Sequence, residues 1–212
     1  MLFRSLRDAL MASADASNIA WRRPDVLLEF AQLQLDVRNF KTAQDAIVTY
    51  ENKFGSRRES RRILVAALLG QGQFEAAEEQ ISALEDKQEA LALRLDLVNA
   101  RLAQARRQRV ALEYLADAGD MLEDVQGQIE QFQQKREELV RQLLEEAPKE
   151  LTFKELTAVT TQWVLEGRRD QAKEAIRRYR SSFPEDLFVA AYQATLEEAS
   201  PAELPAERKV EI

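Results

Sequence analysis

The sequence contains neither cysteine nor histidine among its 212 residues. Without cysteine, the chain forms no disulfide and offers no thiolate nucleophile. Without histidine, it also lacks the commonest general base of enzymes, and the usual zinc ligands are missing altogether. These absences argue against an enzyme and a metal site, and we expect no cofactor. The composition still permits an enzyme whose catalytic groups are carboxylates or lysines.

Glycine, proline and long apolar runs are scarce as well. Six glycines and five prolines are too few for a fold rich in loops or β-strands. No run of 18 apolar residues occurs, so we predict no membrane-spanning helix. The chain does not begin with a charged leader, an apolar core and a small-residue cleavage site, so we predict no signal peptide. The compartment stays open.

Charged residues of both signs are abundant. They make up 32% of the chain beside 45% hydrophobic residues, which is typical of a soluble helical protein with mixed-sign surfaces. The net charge of −7, from 37 acidic and 30 basic residues, argues against nucleic acid as a partner. The densest basic cluster is Arg106, Arg107 and Arg109, for which we considered an anion or RNA contact. Sparse aromatic residues nearby favour a solvated turn instead.

The chain is organised around two stretches, residues 24–55 and 58–89, that repeat one pattern. In each, apolar residues recur three and four places apart, which predicts two helices with one buried stripe each. Three pairs of residues, 34 places apart, carry the period: Phe40 and Phe74, Ala43 and Ala77, and Ile47 and Ile81. One such hairpin cannot bury its own stripe, so the copies must stack.

Small residues mark the close contacts and the turn. Ala43 and Ala77 are small where two helices must approach each other. Gly72 lies between the helices of the second copy, where a tight turn favours a residue that tolerates positive φ. The pair Gly70 and Gly72 also suggests a phosphate loop, but no strand precedes it and Glu75 replaces the third glycine of that motif. We therefore predict a helix–helix turn.

This period, and its order of small, turn, aromatic and aliphatic residues, resembles the tetratricopeptide repeat. A further copy in residues 151–198 keeps the same frame, including the glycine turn and a closing proline. Its matching residues are Leu156, Val159, Trp163, Gly167, Ala172, Ile176, Tyr179 and Pro184. The resemblance implies an all-α fold, a right-handed α-solenoid of antiparallel helix hairpins. The spacing of apolar residues described below adds one long inserted helix.

A third copy is present in altered form. Ala111 lies 34 residues after Ala77, with Leu115 in the same predicted helix. However, Arg106 stands at the turn glycine and Gln108 at the aromatic position. These departures weaken the predicted turn and favour longer helices than in the first two copies.

The inserted helix is predicted from a heptad-like stripe over residues 121–147, which Pro148 ends. Arg136 interrupts this stripe. Its apolar members are Leu122, Val125, Ile129, Phe132, Leu139 and Leu143. Two interpretations stay open. The helix either covers the solenoid or pairs with the helix around residues 91–102, or it forms a coiled-coil contact with a partner or a second copy.

The sequence therefore predicts five parts. They are the end of a preceding repeat and a connector (1–23), three hairpins with the third degenerate (24–118), the long helix (119–150), a hairpin plus the first helix of a further repeat (151–198), and a shortened tail (199–212). Trp21 is expected to pack on the first full repeat. Both ends look open, so we interpret the chain as a fragment of a longer protein. Such an array should self-associate through the stripes near Leu2 and Leu187.

In the tetratricopeptide family, ligands usually lie on the concave face formed by the first helices of successive hairpins. Carried onto this sequence, the resemblance predicts these partner-binding residues: Asp25, Gln32, Asp36, Glu59, Arg62, Lys154, Thr157 and Thr161. Leu28, Ala66 and Leu69 also fall at outward positions. The alternative is a merely solvated face. We expect no clamp for a C-terminal carboxylate, because the family's Lys and Asn are replaced by Leu28 and Gln32, then by Arg62 and Ala66.

A mixed surface of this kind suits an extended peptide or a helix held by pockets and scattered hydrogen bonds. We therefore interpret the chain as a protein–protein interaction scaffold with no catalytic residues. The alternative function is a solenoid segment of an envelope export or secretion machine, as in polysaccharide-export proteins with similar repeats ahead of a membrane barrel. An enzyme is the third interpretation.

Overall fold

The computed structural model describes residues 23–115 and 118–198 of the chain. Within these ranges it contains nine α-helices, a short 3₁₀ turn and no β-strand. The predicted all-α fold class is therefore confirmed. The predictions for residues 1–22, with Trp21 and Leu2 among them, and for the tail at 199–212 lie outside the described residues. The chain divides into two compact units, Met1–Ile129 and Glu130–Ile212.

The helices follow the predicted order of hairpins, except in the third copy. In the first unit they are α1 (Pro24–Asp36), α2 (Phe40–Phe54), α3 (Arg58–Gly70), α4 (Phe74–Ser82) and α5 (Lys87–Leu112). Helix α6 (Gly119–Glu146) begins in the first unit and continues into the second. The second unit then contains a 3₁₀ turn (Pro148–Glu150), α7 (Phe153–Leu165), α8 (Arg169–Ser182) and α9 (Leu187–Glu198). Helix α6 lies where the long helix was predicted.

The helices of the first unit contact their neighbours in chain order. Helix α1 packs on α2, α2 on α3, α3 on α4, and α4 on α5. Alternate helices also meet, since α1 contacts α3 and α3 contacts α5. Most of the apolar residues of α1 to α4 lie on the sides that these neighbours cover, and the N-terminal half of α5 is buried on several sides. We refer to α1, α3 and the N-terminal half of α5 as the first helices.

The small residues and aliphatic anchors of the repeat lie in the core of this unit. Ala43, Ile47, Ala77 and Ile81 are all 0% exposed. At the two alanines, the short side chain lets α2 approach α1, and α4 approach α3, without a bulky group between the helix axes. Their complete burial agrees with the close-approach role that the sequence predicts.

Three hairpins turn through one residue of positive φ: Arg38 (59°), Gly72 (73°) and Gly167 (79°). In each turn, the N–H of this residue donates to the carbonyl three places earlier, and the next N–H donates to the carbonyl five places earlier. This Schellman arrangement satisfies the last carbonyl groups of the preceding helix. The positive φ predicted at Gly72 is confirmed. Arg38, 34 residues earlier, adopts the same conformation without being glycine.

Helix α5 is continuous where the sequence predicted the turn of a third hairpin. Arg106 and Gln108 lie inside its 26 residues. Loss of the turn glycine does not explain this, because Arg38 turns the chain at the same repeat position. At the position two residues later, the ring of Phe40 packs so closely on Gly70 that a Cβ added there would meet it at 2.4 Å. The third turn has Arg169 at this position but keeps a glycine, Gly167, so each turn has either the glycine or the aromatic residue. Gln108 offers no comparable anchor for a second helix.

The start of α5 buries a carboxylate that the sequence analysis did not single out. Glu89 is 1% exposed, and its Oε2 accepts a hydrogen bond from Arg61 Nη2 of α3 at 2.9 Å. Arg58 Nε lies 4.0 Å from Glu89 Oε1. Asp86 caps the same helix by accepting from the backbone N–H of Glu89. This ion pair ties α3 to α5, and a negative charge at a helix start is favoured by the helix dipole.

The second unit is built on the α7–α8 hairpin, against which α9 packs through α8. Trp163 is 1% exposed in its core. The Tyr192 hydroxyl of α9 lies 3.1 Å from the hydroxyl oxygens of both Thr160 and Thr161 on α7. These hydrogen bonds place α9 beside α7 as well as beside α8.

Four of the six apolar residues predicted for the stripe of α6 are buried, and Leu122 and Phe132 are partly buried. The buried members are Val125, Ile129, Leu139 and Leu143. Arg136, which interrupts the stripe in the sequence, is also buried, and its Nη2 donates to Gln162 Oε1 at 2.8 Å. The stripe therefore favours packing within the chain over a coiled-coil contact with a partner.

Two buried tyrosines at one repeat position form different hydrogen bonds. Tyr50 of α2 and Tyr179 of α8 are 0% and 4% exposed, and both follow the alanine and isoleucine anchors at equal spacing. The Tyr179 hydroxyl donates to the Leu151 carbonyl at 3.1 Å. Burial raises the pKa of Tyr179, so its proton is retained for that bond. The Tyr50 hydroxyl has no hydrogen-bond partner within the described residues.

We expect Tyr50→Phe to raise the free energy of unfolding by about 1 kcal/mol, because it removes an unpaired buried hydroxyl. Tyr179→Phe should lower it by about 1 kcal/mol, because it leaves a buried carbonyl without its donor. Urea denaturation followed by circular dichroism measures both changes. Equal losses of stability in the two variants would contradict this difference in hydrogen bonding.

Candidate protein-binding surfaces

The five residues predicted for the first unit lie on two helices in contact. Asp25, Gln32 and Asp36 are on α1, whereas Glu59 and Arg62 are on α3. All five side chains are exposed, and α1 packs directly on α3. The structure thus brings these five residues onto adjacent helices.

Local contacts order the polar groups along α1. Arg23 forms an ion pair with Asp25. The hydrogen bond from Arg23 holds the pKa of Asp25 below its ordinary range, and the same contact raises the pKa of Arg23. Further along the helix, Gln32 Nε2 donates to Asp36 Oδ1 at 3.0 Å. Asp25 is therefore ionised at neutral pH, and Gln32 is oriented by its neighbour.

The middle of this surface is apolar. Leu28 was predicted to point outward, but it is 8% exposed and belongs to the core. Burying an apolar leucine side chain against neighbouring helices lowers the free energy of the folded state. Leu35 and Leu69 are partly buried against the same core, while Ala66 is exposed. The 34-residue period continues the surface onto α5, at Asp96 and Ala100. We call this set the first-helix face: Asp25, Gln32, Leu35, Asp36, Glu59, Arg62, Ala66, Leu69, Asp96 and Ala100.

The three residues predicted for the second unit lie on α7. Lys154 and Thr161 are exposed and Thr157 is half-buried. Thr157 donates to the Lys154 carbonyl at 3.0 Å, and the Thr161 hydroxyl is engaged by Tyr192 at 3.1 Å. They belong to a different unit from the first-helix face, and α9 uses one of them as a packing contact.

A polar groove of about 610 Å³ lies in the second unit. Helix α6 lines it with Glu130, Glu137 and Arg141 among others. The end of α7 and its turn contribute Glu166 and Arg168. The sequence analysis did not predict this groove, because its walls come from residues separated by a whole helix and a turn.

The groove borders an ion-pair cluster around Trp163. The guanidinium carbons of Arg141 and Arg168 lie 5.6 and 5.5 Å from the centre of the Trp163 ring, within cation–π range. Arg168 donates from Nη1 and Nη2 to the two carboxylate oxygens of Glu137, at 2.8 and 2.7 Å. Glu166 and Arg141 complete the cluster through further ion pairs with Arg168 and Glu137.

This cluster fixes the charge state of its members. The hydrogen bonds from Arg168 are the main cause that holds the pKa of Glu137 below its ordinary range. Burial acts in the opposite direction, while the charges of Arg141 and Arg168 lower the pKa further. The same pairing raises the pKa of Arg168. Glu137 is therefore an ionised acceptor at neutral pH, which suits an anchor between α6 and the end of α7.

Exposed apolar residues lie near the end of α5 and near the start of α6. Tyr114 is 85% exposed and Leu115 is 59% exposed, with Val110 and Met121 also exposed. We call these four residues the α5–α6 tip. The exposure of these residues was not predicted, because Leu115 was expected in the second helix of the third hairpin, where neighbouring helices would have buried it.

Comparison with protein-family models, curated proteins and solved structures gives no significant match to this chain. Across residues 23–115 and 118–198, every helix is too short or too polar to cross a bilayer. The function is therefore inferred from the repeat and from the geometry of these surfaces.

Proposed function

We propose that this chain is a protein–protein interaction scaffold whose first-helix face binds an extended peptide or a helix of a partner protein. In this proposal the hairpins form a right-handed solenoid similar to tetratricopeptide arrays. The observation that carries it is the turn repeated after 34 residues, from Arg38 to Gly72, with the same backbone hydrogen bonds.

The packing around these turns supports the same conclusion. The alanine and isoleucine anchors that follow each turn are equally buried, so one hairpin unit is used twice. The contacts of α1 with α3 and of α3 with α5 set equivalent helices side by side. An array of this kind presents a continuous surface that a partner segment can follow.

The composition of the first-helix face also suits a partner segment. Exposed polar side chains flank an apolar middle formed by Leu35, Leu69 and Ala66. The apolar groups provide binding energy and the polar groups provide orientation, which is how helix and peptide grooves recognise their ligands.

We expect Ala66→Trp to reduce capture of the partner by about tenfold or more, because an indole would occupy the middle of the face. Ala66 is exposed, so the fold should survive, and circular dichroism checks this. The measurement is a pull-down from a source lysate with quantitative mass spectrometry. A matched control at the other apolar surface is Leu115→Ser/Met121→Ser, which should capture the same partner as the wild type.

Equal capture by wild type and Ala66→Trp would contradict the first-helix face as the binding site. If only the Leu115→Ser/Met121→Ser variant lost the partner, the binding site would be the α5–α6 tip. The two variants thus separate the two candidate surfaces of the first unit.

A further inference from the structure

We infer that the partner segment bound by the first-helix face is basic and amphipathic. This inference rests on the proposed function, because it names the class of partner for the same face. It is drawn from the charges on the three first helices and from the apolar residues between them.

Carboxylates outnumber guanidinium groups on the face. Asp25, Asp36, Glu59 and Asp96 carry four negative charges, and Arg62 carries one positive charge. Counting Arg23, which is paired with Asp25, an excess of two carboxylates remains. This excess does not depend on which ion pairs form within the face. At the start of α3, Arg61 forms an ion pair with the buried Glu89 carboxylate, and Arg58 lies 4.0 Å from it. Counting these two arginines together with Glu89 still leaves an excess of one carboxylate.

The carboxylates bracket the apolar middle of the face. Asp25 and Asp36 lie near opposite ends of α1, about 16 Å apart along its axis. Leu35 lies between them on α1, and Ala66 and Leu69 lie on the neighbouring α3. A segment that places apolar side chains in this middle therefore brings its flanking residues to the carboxylates. Lysine or arginine at those flanks matches the charge, whereas acidic flanks are repelled.

The test selects ligands from a phage-displayed library of random peptides on the immobilised full chain. Enriched peptides are synthesised, and their affinities are measured by fluorescence polarisation for three proteins. These are the wild type, the face variant Asp36→Lys/Glu59→Lys, and the control Glu79→Lys/Glu85→Lys. The control makes the same change in net charge at exposed residues on α4 and in the loop after it.

We expect the enriched peptides to be basic and to bind the face variant about tenfold more weakly than the wild type. The control variant should bind like the wild type. Added salt should weaken binding to the wild type, since exposed charges are screened. Arg62→Glu should strengthen the binding of a basic peptide, whereas it would weaken the binding of an acidic peptide.

Three results would overturn the inference. The enriched peptides could be neutral or acidic and still bind the face variant more weakly than the wild type. This result would support the proposed function but contradict the inference that the partner is basic. Equal weakening by face and control variants would show non-specific charge attraction and refute it as well. If the peptides bound the face variant and the wild type with equal affinity, or if the library gave no enriched peptide, the proposed function itself would be contradicted.

Discussion

Trp163→Ala is expected to lower the free energy of unfolding by about 3–5 kcal/mol, the range for emptying the site of a large buried aromatic residue. Trp163 is 1% exposed, and the resulting cavity lies beneath Arg141 and Arg168, whose side chains would lose the ring they cover. The Arg168–Glu137 pair would then lose its apolar support. Trp163→Phe, which keeps a smaller ring, should cost less.

The matched control is Phe188→Ala, because Phe188 is an aromatic residue of the same unit that is 78% exposed. It should change stability by about 0.5 kcal/mol or less. Both variants are compared with the wild type in urea by circular dichroism, which does not depend on the deleted chromophore. Equal midpoints for Trp163→Ala and Phe188→Ala would mean that Trp163 is not a core residue.

Ala43→Leu and Ala77→Leu are each expected to cost about 1–3 kcal/mol by overpacking the helix crossings. Both alanines are 0% exposed, so three added carbon atoms have no space unless the helices separate. The two positions are equivalent in the repeat, and we expect losses of similar size. Thermal or urea denaturation measures them.

Glu78→Ala is the control on the outer side of α4. Its carboxylate is about half exposed and lies 3.9 Å from Arg94 Nε, and an exposed pair of this kind contributes only about 0–1 kcal/mol. The helix itself gains slightly from alanine. If the leucine variants were as stable as Glu78→Ala, the close-approach role of the two alanines would be wrong.

The first two hairpins could be predicted because their signals are local. Spacings of three and four residues fix which side of a helix is buried, and Gly72 marks a turn that needs positive φ. The burial of Ala43, Ala77 and their isoleucine partners follows from the same spacings. The finer prediction of a solenoid depends on how successive hairpins are rotated, which these local signals do not determine.

The third hairpin was predicted because Ala111 continues the period, yet α5 runs through its turn. Arg38 and Arg106 occupy the same repeat position, but only Arg38 turns the chain. The turn at Arg38 is followed by Phe40, which packs on Gly70, and the turn at Gly167 has the glycine, whereas Arg106 and Gln108 provide neither feature. A sequence period shows the position of a turn but not the packing that stabilises it.

The buried charges were also beyond sequence analysis. Glu89 looks like an ordinary surface residue at a helix start, and Arg136 only like a break in an apolar stripe, because their partners Arg61 and Gln162 are distant in the chain. For the candidate site, helical spacing predicted the exposure of residues such as Asp36 and Arg62 correctly. It missed the burial of Leu28, which depends on contacts with neighbouring helices.

The order of contacts in the first unit has a consequence for the rate of folding. From α1 to α5, the packing partners of each helix are next to it or one further along the chain. Such contacts need only short loops to close, so little chain entropy is lost before a hairpin begins to gain packing energy. Proteins dominated by local contacts fold in about microseconds to milliseconds. Formation can then start at either of the first two hairpins and spread to its neighbour.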